Sequence, residues 1–94
     1  MAKYLMFGKY SAQALKEMSI QRTDKALSLI KRLGGEVEAM YATLGAHDLV
    51  FIINIPDTDA ALKISVGLTK LTGIAFGSEP AVTVAEFDKL MSEL

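Results

Sequence analysis

Ninety-four residues leave room for one hydrophobic core, and although half of them are apolar, a chain this short gains much from a partner. The 10 basic and 11 acidic residues nearly cancel, which leaves no electrostatic footprint for nucleic acid. With no cysteine, disulfides, thiolate metal sites and thiol nucleophiles are excluded, and a single histidine leaves a transition metal short of ligands, so no metal or cofactor is expected.

The opening "MAKYLMFGKY" holds only a short apolar run, well below the length of a signal-peptide core or a membrane span. A cytoplasmic protein without a membrane partner is expected. Lys3 to Lys9 alternates around Leu5, Met6 and Phe7 and predicts a first strand. Ser11 is a suitable N-cap for the stripe Leu15, Met18, Arg22, Ala26, Leu29 or Ile30, and Leu33, which keeps steps of three and four up to Gly34-Gly35. This predicts one long amphipathic helix, with room for a break between Ser19 and Gln21.

Val37 to Leu44 and Asp48 to Ile55 read as two strands of a hairpin, joined at Leu44-Gly45-Ala46-His47 with Gly45 suited to the first central position of a type II′ turn. Pro56-Asp57 ends the third strand, and Asp57 can cap a second helix with the stripe Ala61, Ile64, Leu68 and Leu71, closed by Gly73. A fourth strand within Ile74 to Val82 carries Pro80, which cannot donate to a ladder and so marks an edge. Thr83 begins a capping box with Glu86, with Val82 and Phe87 as its staple, and opens a short terminal helix.

The order strand, helix, strand, strand, helix, strand is the split βαβ pattern. It predicts an α+β fold over residues 1–94 as one domain: a ferredoxin-like βαββαβ antiparallel sheet with both helices on one face and an extra C-terminal helix. Strands one and three, the most apolar, belong in the middle. Leu49-Val50-Phe51-Ile52-Ile53 does not alternate, as a strand covered on one side should, and Leu5-Met6-Phe7 shows the same two-sided apolarity. The second face therefore needs a cover. Another protomer packed sheet to sheet in a symmetric dimer is the expected one, the alternative being the terminal helix.

A two-residue turn would pair Met40 with Phe51, Tyr41 with Val50 and Thr43 with Asp48. Tyr41, Thr43, Asp48 and Asn54 then share the face turned from the helices, and His47 falls on the other with Met40, Leu49 and Phe51. Tyr41, Thr43 and Asp48 either line a ligand cleft or form the wet end of the sheet. His47, at the turn, is an ordinary solvated histidine or a general base. Arg22 is out of place on an apolar stripe and must snorkel, or find a carboxylate or an anionic ligand. No phosphate loop or nucleophile elbow is present.

The stretch "GGEVEAMYATLGAHDLVFIINIPDTDAALK", with Arg22 before it and "AFGSEPAVTVAEFDKL" after it, resembles the GYD-domain family of small bacterial and archaeal proteins. Gly45 and Asp48 match the naming motif, while His47 stands where that motif has tyrosine. The resemblance implies a dimeric α+β barrel built on the ferredoxin-like fold and carries no settled reaction. It singles out Arg22, Tyr41, Thr43, Gly45, Asp48, Pro56 and Asp57, of which Gly45, Pro56 and Asp57 have turn or capping roles of their own. The candidate ligand residues are thus Arg22, Tyr41, Thr43, His47 and Asp48. The functions open at this point are a homo-oligomeric module that binds a small metabolite, a cofactor-independent monooxygenase- or isomerase-like enzyme, and a purely structural oligomer.

Overall fold

The computed structural model describes residues 1–94. Its elements in chain order are β1 (Ala2–Lys9), α1 (Ala12–Lys16), α2 (Ile20–Arg32), β2 (Glu36–Ala42), β3 (Leu49–Ile55), α3 (Thr58–Thr72), β4 (Ala75–Ala81) and α4 (Val84–Met91). The strands form one antiparallel sheet in the order β2-β3-β1-β4, so the two most apolar strands are central and the Pro80 strand is an edge, as expected.

Alternation sorts each central strand. Tyr4 and Met6 of β1 and Phe51, Ile53 and Ile55 of β3 are buried under the helices, whereas Leu5, Phe7, Val50 and Ile52 between them point to the open side. Against the first set pack Ala26 and Ile30 of α2 and Ala61, Ile64 and Leu68 of α3, making one core. Each fully buried Ile or Leu here contributes about 1.5–3 kcal/mol of transfer free energy. α3 differs from its expected stripe at the last turn. Thr72 is buried there in place of Leu71, its hydroxyl donating to the Leu68 carbonyl at 2.7 Å and accepting the Ile74 N–H at 3.0 Å.

The long first helix is two helices. Ser11 caps α1 through the Ala14 N–H and Ser19 caps α2 through the Arg22 N–H, both at 3.0 Å. The second cap is what breaks the helix: Ser19 is extended (φ −160°), so the chain must leave helical geometry just before it. Asp57 and Thr83 cap α3 and α4 as their sequences predict, and Gly73 closes α3 in the left-handed region at φ +75°.

The hairpin keeps the predicted register at Met40↔Phe51 and Tyr41↔Val50 but opens into a wider loop. Pairing by strand geometry stops at Ala42↔Leu49, and Thr43 holds the base of the loop with its N–H on the Asp48 carbonyl (2.8 Å) and its hydroxyl on the His47 carbonyl (2.7 Å). Gly45 has φ +144°, wider than a type II′ turn requires. At the other end of β2, Glu38 is the extra residue of a bulge between Val37 and Ala39. Its carboxylate accepts from Lys3 Nζ at 2.6 Å and Asn54 Nδ2 at 2.7 Å, a small polar cluster at one end of the open face.

Two surfaces are left without a partner. The open sheet face presents Leu5, Phe7, Val50 and Ile52, each only partly covered. α4 buries none of its residues and makes no substantial contact with the rest of the chain, so it does not cover that face. No helix is long and apolar enough to cross a membrane.

Candidate functional site

A cleft of about 210 Å³ opens on the helix side of the sheet, beside the edge strand β2. Its floor is Met40 of β2, Leu49 and Phe51 of β3, and Phe76 of β4, with the Phe51 and Phe76 rings 5.3 Å apart and tilted by 42°. Ala26 of α2 walls one side, and Thr72 and Ile74 wall the other. Gly8 makes the floor possible. A Cβ there would sit 2.8 Å from the Phe76 ring and 3.2 Å from Leu49 Cβ, so only glycine lets Phe76 lie across β1 toward Phe51.

The mouth is polar. Tyr10, Arg22, Thr23 and the margin of β2 at Tyr41 and Ala42 surround it. Arg22 is placed by the helix break. Because the Met18 N–H turns back to the Leu15 carbonyl, the Ala14 carbonyl at the end of α1 is left free, and Arg22 Nη1 donates to it at 2.5 Å. The guanidinium also lies over the Tyr10 ring, 5.8 Å from its centre. The chain's two ion pairs, Lys3–Glu38 and Lys9–Asp48, do not involve Arg22. Its charge is therefore held in place by a carbonyl and a ring face, with no carboxylate beside it and its remaining N–H groups free to face the cleft.

Of the five candidates read from the sequence, Arg22 and Tyr41 border this cleft, and Thr43, His47 and Asp48 do not. Tyr41, paired with Val50 on an edge strand, is more than half exposed. Asp48 instead fastens the start of α1: Oδ2 accepts the Tyr10 N–H at 2.9 Å and stands 3.6 Å from Lys9 Nζ. That bond fixes the backbone of Tyr10, so Asp48 acts on the mouth at one remove. His47 lies on the open face, not on the helix side. Its ring centre is 4.6 Å from that of Phe7, whose side chain points away from the helices. The physical reason is the wider loop: once strand pairing ends at Leu49, alternation no longer dictates where residue 47 points.

Tyr10, Thr23 and Phe76 are the cleft residues that sequence reasoning passed over. Gly8, inside an otherwise apolar strand, was the available signal, because a strand glycine marks close approach by another group.

No curated protein matches the chain. Among solved structures it is similar in fold to the crystal structure of the Mycobacterium tuberculosis leucine response regulatory protein LrpA, with a TM-score of 0.58 and 12% identity over 87% of this chain and 51% of that one. A second crystal structure, described as a glutamate-to-alanine mutant, is similar at a TM-score of 0.57 and 12% identity, over 87% of this chain and 50% of that one. The chain thus spans about half the length of the solved structures it matches, and at this identity the likeness is one of fold. The ferredoxin-like α+β arrangement is common to them. The family model for the GYD domain matches residues 4–91, nearly the whole chain, and the protein belongs to the GYD domain family.

Proposed function

We propose that the protein is a binding module that works as a homo-oligomer and holds a small anionic compound with an apolar body in the cleft beside β2. The observation that carries this reading is Arg22: a guanidinium without a carboxylate partner, fixed at the mouth of an apolar cleft by the Ala14 carbonyl. Its free N–H groups offer the fork that a carboxylate fits in bidentate fashion, while Phe51, Phe76, Met40 and Leu49 supply the apolar floor. The volume limits the occupant. Drug-sized pockets run from about 300 Å³ upward, so this cleft suits a single ring or a short branched chain bearing one acid group.

Self-association is supported by the open face, where Leu5, Phe7, Val50 and Ile52 form an apolar patch on the two central strands. Two such faces stacked about a two-fold axis would bury it and leave both clefts on the outside. Response to leucine belongs, by its name, to the structural neighbour. Here a leucine-like ligand is one compound of the right size and charge, and the proposal rests on the cleft itself.

Native mass spectrometry of the protein as purified tests both halves. The expected spectrum is an even-numbered oligomer carrying a small added mass, with Arg22→Met losing the added mass while keeping the subunit number. A monomer at micromolar concentration overturns the assembly. An added mass retained in full by Arg22→Met overturns the site.

A further inference from the structure

The two antiparallel helices α2 and α3 leave a groove between them on the outer surface of the helix layer, away from both the cleft mouth and the open sheet face. Its floor is Leu29, Gly67 and Leu71, where Gly67 allows close approach: a Cβ there would stand 3.0 Å from Leu29 Cδ2. Lys25 and Arg32 rim it from α2 and Lys70 from α3, with Asp24 the one acid at its border. None of these three cations belongs to either ion pair of the chain.

α4 is the complementary shape. At 100° per residue, Val84, Phe87, Leu90 and Met91 form one stripe, with Asp88 on one border, Glu86 on the other, and Lys89 on the far side. The stripe is solvent-exposed, Phe87 by 51% and Val84 by 75%. A connection of only two residues, Val82 and Thr83, joins α4 to the edge strand β4 and holds it off its own groove. An apolar stripe bordered by acids thus stands out from the same molecule that carries an apolar-floored groove bordered by bases.

We infer that α4 of one copy docks in the α2–α3 groove of a second copy, Phe87 and Leu90 against Leu29 and Leu71 and the acids against Lys25, Arg32 and Lys70. The contact is independent of the Arg22 cleft. Since the groove and the open sheet face are on opposite sides of the molecule, arm exchange links different subunits from those a sheet-to-sheet contact would join. Its rim charges set partner choice and salt sensitivity, and its apolar stripe supplies most of the buried area.

The absence of cysteine makes a direct test available. Ser28→Cys, in the groove, mixed with Leu90→Cys, on the arm, is expected to form an intermolecular disulfide under mild oxidation in preference to either variant with itself. Adding Lys25→Glu and Lys70→Glu to the groove variant should lower the yield roughly tenfold, and adding Glu86→Lys and Asp88→Lys to the arm variant should restore it. A yield no higher than that of Leu90→Cys mixed with Lys3→Cys, on the sheet side, overturns the inference. So does a yield indifferent to charge reversal, or a purely intramolecular disulfide in the Ser28→Cys, Leu90→Cys double variant. Binding of a single-stranded oligothymidine that is lost on Lys25→Glu and Lys70→Glu, with no crosslink formed, would assign the groove to a polyanion instead.

Discussion

Replacing Asp48 by alanine separates a structural anchor from a ligand contact. In the folded chain its carboxylate accepts the Tyr10 N–H at 2.9 Å with only 25% of the side chain exposed, whereas the Lys9 ammonium is 3.6 Å away on a side chain that is 59% exposed. A hydrogen bond from a backbone N–H to a charged acceptor is worth about 1.5–3 kcal/mol, and an exposed ion pair of this length about 0–1. Water reaches the vacated site from the exposed side and recovers part of the loss, which leaves about 2 kcal/mol for Asp48→Ala. For a domain of this size that corresponds to roughly 8–16 °C in Tm. Asp48→Asn keeps a neutral acceptor and should lose less than half as much, about 0.5–1 kcal/mol. Lys9→Ala should stay within about 0.5 kcal/mol, and the Lys9–Asp48 coupling from a double-mutant cycle should be no larger. Urea unfolding of the wild type, the three single variants and the Lys9→Ala/Asp48→Ala double variant, five proteins at one fixed subunit concentration, measures all of this. If Asp48→Ala costs under about 0.5 kcal/mol, or Lys9→Ala costs as much as Asp48→Ala, the backbone bond to Tyr10 is not what Asp48 contributes.

Two further outcomes follow from the sheet. Ile52→Lys puts a charge in the middle of the open face; if two faces stack, two unpaired ammonium groups are buried at once, and association measured by sedimentation should weaken roughly a hundredfold or more. The circular dichroism of the subunit should be unchanged, and an unaltered sedimentation coefficient would refute the stacking. Glu38 has its pKa held below the ordinary 4.5, first by the hydrogen bond from Lys3, then by the one from Asn54, against a smaller upward push from desolvation. A carboxylate lowered on folding stabilises the native state at pH values above 4.5, and that contribution fades as pH falls through the folded value. Wild type should therefore be more stable than Glu38→Gln at neutral pH and lose that advantage in acid, and parallel denaturation curves across pH would count against it.

The topology was legible because local signals agreed with one another. Apolar continuity placed β1 and β3 in the centre, Pro80 placed β4 at an edge, and Asp57, Gly73 and Thr83 bounded α3 and α4. One reading left open and one misreading have separate causes. The apolar steps of three and four run straight through the junction of α1 and α2, so periodicity favours one helix and leaves the break only as an allowance between Ser19 and Gln21, which the Ser19 cap, three residues before Arg22, decides. In the hairpin, a two-residue turn was the simplest closure of Leu44-Gly45-Ala46-His47, but strand pairing stops at Ala42↔Leu49, and beyond it Thr43 closes the loop with its N–H on the Asp48 carbonyl and its hydroxyl on the His47 carbonyl. The cleft was partly hidden for another reason. Arg22 drew notice as a charge on an apolar stripe, yet its carbonyl partner exists only because α1 ends early, and its seat over the Tyr10 ring and the approach of Phe76 to Gly8 are tertiary contacts that no local pattern encodes.

His47 and Asp48 are adjacent, yet they face different tasks. Asp48 holds backbone at the start of α1, whereas the imidazole lies against Phe7 at a ring separation of 4.6 Å on the open face. The motif that His47 departs from has tyrosine at this position, and both residues supply a flat ring on a short stem, which is what covering Phe7 requires. A role based on the shape of the ring tolerates that exchange; one based on a phenolic hydroxyl does not. The geometry therefore ties residue 47 to the open face with Leu5, Phe7, Val50 and Ile52, and leaves the charge at the cleft mouth to Arg22.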